Sequence, residues 1–129
     1  MSQHQSLGRG ARSVMVLFVL SLLGAGAALA HIQVTESEPA ADSTVNRPIR
    51  SIRIFFDQVP DVEKSELTIE GPEGAALEVT GLHTMGEQDL MATVSGRMPD
   101  GDYKIKWKTA GQDGHQREGE IGFTLKRGN

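Results

Sequence analysis

Three histidines follow residue 30 in this 129-residue chain, and two of them stand where a metal ion could use them. His31 comes directly after Ala28-Leu29-Ala30, a small-residue pattern that signal peptidase cuts after. If cleavage falls after Ala30, His31 becomes the N-terminus. Its α-amine and ring Nδ1 then belong to one residue and can close a six-membered chelate around a metal. The amine must be free and must lose its proton to bind, so an intact leader would block the site and acid would weaken it. The competing reading is that position 31 is simply whatever follows the cut. The second feature is GQDGHQREGE, residues 111 to 120, in which Asp113 and His115 are two apart. On extended backbone both side chains would share one face. Gly111, Gly114 and Gly119 suggest a rim where the chain bends. An ordinary polar turn would read the same way. Taken together, an amine, two imidazoles and a carboxylate form a nitrogen and oxygen set without sulfur. Cu(II) prefers tetragonal coordination of that kind. A strand starting at residue 31 can lie beside the 111 to 117 rim in a sandwich, which would close the set.

Other chemistry is thinly represented. Met85, Met91 and Met98 lie near His83, and thioethers suit Cu(I), but methionine is also a common filler of cores. His83, Met85 and Met91 remain a weak Cu(I) alternative. There is no G-x-S-x-G elbow, no glycine-rich phosphate loop before a helix, and no H-E-x-x-H. Nothing marks a pair of the many carboxylates as buried, so a glycosidase reading has no support. The chain is read as a non-enzyme. Cysteine is absent, so no thiolate is on offer and no disulfide can brace the fold.

The charge distribution also narrows the field. All 17 acidic residues lie after residue 30, against 11 lysines and arginines, a net of −6. Such a surface does not favour nucleic acid or anionic lipid, which need clustered positive charge. Residues 1 to 30 read as a cleaved signal peptide. A polar start carries Arg9 and Arg12, then VMVLFVLSLLGAGAALA relaxes into small residues. Its apolar core from Val14 to Leu23 is about ten residues, short of the roughly 20 that a spanning helix needs. An uncleaved anchor is the alternative. The expected product is residues 31 to 129, one small exported domain with no membrane insertion.

The elements that must position these residues read as strands. Ile52, Ile54 and Phe56 alternate with Arg53 and Phe55 in IRSIRIFFDQ. Leu67 to Ile69, a Gly71-Pro72-Glu73-Gly74 turn, and Leu77 with Val79 give a hairpin. Residues 89 to 96 make another strand. After Asp100-Gly101, Tyr103, Ile105 and Trp107 point one way and Lys104, Lys106 and Lys108 the other, wet way. Ile121, Phe123 and Leu125 close the chain. Ile32 and Val34 begin it, before a polar loop running through Pro39 to Pro48. About seven short strands with regular turns predict an all-β fold, a small antiparallel Greek-key sandwich or barrel of immunoglobulin-like type.

In order and spacing, His31, Pro39-Ala40, Tyr103-Lys104-Ile105-Lys106-Trp107, Asp113-Gly114-His115, Gly119 and Phe123 resemble the CopC-type periplasmic copper-resistance proteins. The resemblance spans nearly all of residues 31 to 129. It implies a small Greek-key β domain that binds one Cu(II) per chain through the amine and ring of His31 with Asp113 and His115. It also implies copper delivery or buffering in the periplasm, often beside a CopD-type inner-membrane copper protein. Three departures stand out. Some relatives bind Cu(I) in a methionine-rich loop, but the corresponding LTIEGPEGAALEV here has no methionine. Gly111 stands where family members often have serine, and Gln33 where some have a second histidine. Two other readings stay in play: a metal-free immunoglobulin-like interaction module, and a small copper enzyme that cleaves polysaccharide oxidatively from an N-terminal His.

Overall fold

The computed structural model describes residues 31–128. The expected leader, residues 1 to 30, lies outside the described residues. Eight strands follow one another: β1 (Val34–Glu38), β2 (Ser43–Val45), β3 (Ser51–Phe56), β4 (Glu66–Glu70), β5 (Ala76–His83), β6 (Asp89–Ser95), β7 (Gly101–Ala110) and β8 (Gln116–Leu125). The described residues contain no α-helix, only two single turns of 3-10 helix at Val62–Lys64 and Pro72–Gly74. None of their helices is long and apolar enough to cross a membrane.

The strands form one curled sheet in the order β1-β3-β6-β5-β4-β7-β8-β2, a half-barrel of mainly antiparallel pairs. β5 joins its two halves, pairing with β4 at Ala76 and Leu77 and with β6 from Glu78 onward. The fold is therefore all-β, as the alternation predicts. The eighth strand is β2, three residues inside the stretch expected as loop, which pairs parallel with the end of β8.

Alternation explains what holds the curl. Ile52, Ile54 and Phe56 of β3, Leu90, Ala92 and Val94 of β6, Ile105 of β7, and Ile121, Phe123 and Leu125 of β8 are buried together. A period of two puts every second side chain on the inner face, and burying that face is the main stabilising contribution. Tyr103 stacks on Phe123 with ring centroids 5.2 Å apart. Met98 is buried in the same core, a filler rather than a ligand.

The outer face of β4, β7 and β8 carries charge instead. The lysines of β7 run down the middle, and each meets a glutamate on a neighbouring strand: Lys106 to Glu70 at 3.0 Å, Lys104 to Glu120 at 3.4 Å and Lys108 to Glu66 at 3.6 Å. Glu66 stands directly opposite Lys108, while the other two pairs run diagonally across the ladders. Opposite charges at such cross-strand positions favour this register, and these exposed pairs are screened by water. The lysine stripe is thus the solvated face that alternation demands.

Candidate metal centre

His31 lies just before β1, and Asp113 and His115 lie in the loop from β7 to β8. The fold brings the two segments together across 82 residues. His31 Nδ1 is 2.9 Å from Asp113 Oδ2, and His115 Nδ1 is 3.6 Å from the same oxygen. The two imidazole rings are 5.7 Å apart, tilted by 43°. One donor atom from each of the three residues falls within 4.8 Å of the others. Asp113 sits between the histidines with its side chain 9% exposed, while those of His31 and His115 are 48% and 72% exposed. The site is open to solvent and anchored on its carboxylate.

Asp113 and His115 do not converge by strand alternation. Residues 111 to 115 form a turn, since β7 ends at Ala110 and β8 starts at Gln116. The Gly114 N–H donates to the Gly111 carbonyl at 3.0 Å, closing a β-turn. Gly114 has φ +77, left-handed backbone that favours glycine. The His115 N–H then donates to Asp113 Oδ1 at 3.0 Å, an Asx-turn that folds the acid back over its own loop. That bond leads the causes that hold the Asp113 carboxyl below its ordinary range. Partial burial opposes it, and the hydrogen bond to His31 and the two nearby imidazoles reinforce it. Asp113 is therefore a ready anion. Gly119, expected at the bend, instead lies inside β8 beneath the ring of Trp107.

The segment after β3 supports both halves of the site, and the sequence reading did not single it out. Asp57 Oδ1 accepts the Gln33 N–H at 2.9 Å, and the Asp57 N–H donates to the Gln33 carbonyl at 3.0 Å. Gln58 Oε1 accepts the Gln112 N–H at 3.1 Å. Gly111 makes that approach possible, because a Cβ there would lie 2.7 Å from Gln58 Oε1 and 2.9 Å from Ile32 Cβ. Ile32, next to His31, is 1% exposed and fixes the segment to the core. The only hint in the sequence is that Asp57-Gln58 breaks the alternation directly after Phe56.

The weaker soft-metal set fares differently. His83 stands opposite Met91 in the β5–β6 register, and His83 Nδ1 donates to the Gly81 carbonyl at 2.6 Å. Met85 is exposed and Met98 is in the core.

Comparison with known proteins places the chain in a family. The CopC domain model matches residues 34–126. The chain belongs to the CopC family. It is 26% identical over 118 residues to copper resistance protein C of Xanthomonas campestris pv. juglandis, covering 86% of this chain and 92% of that one. It is 23% identical over 123 residues to protein YobA of Escherichia coli K12, covering 94% and 98%. Among solved structures, CopC from Methylosinus trichosporium OB3b superposes with a TM-score of 0.67 at 20% identity, over 77% of this chain and 97% of that one. PcoC, a methionine-rich copper resistance protein from Escherichia coli, gives 0.65 at 22% identity, over 75% and 100%. Family membership connects this CopC domain to copper resistance. The matched residues begin three positions after His31, so the match spans positions 113 and 115 but not the first histidine.

Proposed function

We propose that this CopC-family protein is an exported carrier or buffer that takes one Cu(II) on His31, Asp113 and His115. The observation that supports the reading is the meeting of His31, Asp113 and His115, from segments 82 residues apart, within 4.8 Å. The set fits the ion in two respects. Its donors are imidazole nitrogen and carboxylate oxygen, which suit Cu(II). Ligand atoms about 2 Å from a metal and at right angles to each other lie about 2.8 Å apart, close to the 2.9 Å between His31 Nδ1 and Asp113 Oδ2. A metal would take the place of the proton those two atoms now share.

Each residue then has a distinct task. Asp113 supplies negative charge from an oriented, partly covered carboxylate. His115 supplies an exposed imidazole on the same turn. His31 supplies its ring and, after cleavage behind Ala30, its α-amine. The exposed histidines leave the ion within reach of a partner, as a cargo protein requires. That partner is of the CopD type in the inner membrane, and the compartment is the periplasm.

The test is a Cu(II) titration of protein whose N-terminus is verified as His31, beside the same chain with one extra residue before His31. The extended chain should bind at least about tenfold more weakly, each tenfold being about 1.4 kcal/mol. Equal affinity in the two would remove the amine from the site.

A further inference from the structure

We propose that Asp57 and Gln58 act as a two-armed clasp, setting the distance between the N-terminal half of the metal centre and its Asp113–His115 half. The inference rests on the copper reading above and adds the residues that determine how well the site is assembled. The two residues are adjacent, yet they grip different parts of the chain. Asp57 holds Gln33, two residues after His31, through both its carboxylate and its backbone N–H. Gln58 holds Gln112, the residue before Asp113.

The location explains why a clasp is needed. Regular pairing of β1 with β3 is interrupted by a register shift between Val34 and Glu36, and its last pair on this side is Val34 with Phe56. Residues 31 to 33 therefore lie beyond the ladder, where ladder bonds no longer fix His31. Asp57 supplies the missing pair of bonds one step further on. The 111 to 115 turn also projects past the end of its hairpin, since the last β7–β8 pair is Ala110 with Gln116. Gln58 supplies a bond to it from outside the hairpin.

The base beneath the clasp is firm. The Asp61 N–H donates to the Ala110 carbonyl at 2.9 Å, tying the same connection to the end of β7. Ser65 Oγ is 2.6 Å from the Asp61 carbonyl and 2.7 Å from Thr109 Oγ1, and Ser65 and Thr109 are both buried. Residues 57 to 65 thus form one braced platform under both halves. Gly111 completes it, because any side chain there would displace Gln58 or Ile32. Partners that orient ligands without touching the metal commonly change its affinity by about 10- to 100-fold.

The experiment uses protein with a verified His31 N-terminus and four variants: Asp57→Ala, Gln58→Ala, Asp57→Asn and Gln58→Glu. The last two keep an acceptor oxygen on each arm. Cu(II) affinity is measured by competition and the coordination by electron paramagnetic resonance. Amide hydrogen exchange at Gln33 and Gln112 is followed in the metal-free protein. The alanine variants should each bind copper about tenfold more weakly, with an altered copper spectrum and faster exchange at their own arm only. The acceptor-keeping variants should restore wild-type affinity and spectrum. If wild type binds copper and the alanine variants match it in affinity and spectrum, the clasp is overturned while the copper site stands. If wild type itself binds no copper, the copper reading fails and the clasp's function fails with it. In that case Gln33 and Gln112 exchange still reports whether the two bonds exist.

Discussion

Asp89 and Asp113 are both held below the ordinary carboxylate range, for different physical reasons. At Asp113 the leading cause is a single backbone N–H, that of His115, in an open loop. At Asp89 the largest effect is burial, which pushes the pKa up. It is outweighed by the Gly86 N–H, the Arg53 side chain and the Met85 N–H acting together. Asp89 is 1% exposed, its Oδ2 accepts from Arg53 Nε at 2.7 Å, and its Oδ1 accepts from Met85 and Gly86 at 3.0 and 2.9 Å. It therefore fastens the β5–β6 loop to β3. Because the folded pKa is lowered from 3.8, the ionised form's contribution to stability is fully present above that value. It is lost as the pH falls through the lower, folded pKa. Replacing Asp89 by Asn keeps the shape but leaves Arg53 without its carboxylate, at a cost of about 3 kcal/mol at pH 7. Urea unfolding at pH 7 and at about pH 2.5 checks this: the gap between wild type and Asp89→Asn should shrink in acid. A gap that is the same at both pH values would assign the loss to packing instead of charge.

Strand packing explains a glycine that looked like a bend. Gly119 pairs with Trp107 across β7 and β8, and a Cβ on it would meet the indole at 2.7 to 2.9 Å. The ring is held in turn by Phe56, edge-on with centroids 5.6 Å apart. Overpacking a fitted site costs about 1 to 3 kcal/mol. Gly119→Ala should lower stability by that amount and shift tryptophan fluorescence to the red as the indole moves toward water. Unchanged emission would mean that the strand yields and the ring stays. The same elements show what a sequence can disclose. The alternation in β3, β7 and β8 gave their inner faces because period two is a local property of one strand. β2 was hidden because Ser-Thr-Val is too short to alternate and is paired only through β8, which is far along the chain. The turn at Gly111 to His115 was hidden in part: its glycines announced a bend, but the Asx-turn that folds Asp113 back depends on φ +77 at Gly114. The histidine, acid and histidine of the site were legible as residue types. The support from Asp57 and Gln58 was not, because it joins segments by bonds to backbone groups that carry no residue-specific signal.

At the scale of the molecule, the proposed copper would tie β1's lead-in, on one half of the sheet, to the β7–β8 loop on the other half. A ligand that binds only the folded state stabilises it by about 2.7 kcal/mol at a hundredfold excess over Kd, and continues to do so as its concentration rises. That simple case does not apply here. The amine and ring of a processed His31 lie on one residue and persist when the chain unfolds, so the unfolded state also holds Cu(II). Asp113 and His115 join the set only after folding. The gain in stability is then limited to the ratio of folded to unfolded affinities, and each tenfold in that ratio is about 1.4 kcal/mol. Thermal unfolding at rising Cu(II) should show the melting temperature climb and then level off. For a domain of about 100 residues, each kcal/mol corresponds to roughly 4 °C or more of that rise. Asp113→Ala and His115→Ala should each lower the plateau without moving the metal-free melting temperature by a comparable amount. A chain with one residue added before His31 should also need more copper to reach its plateau. If both alanine variants climbed to the wild-type plateau, Asp113 and His115 would not be the ligands that folding adds, and if the wild type itself showed no rise, copper would be held by His31 alone.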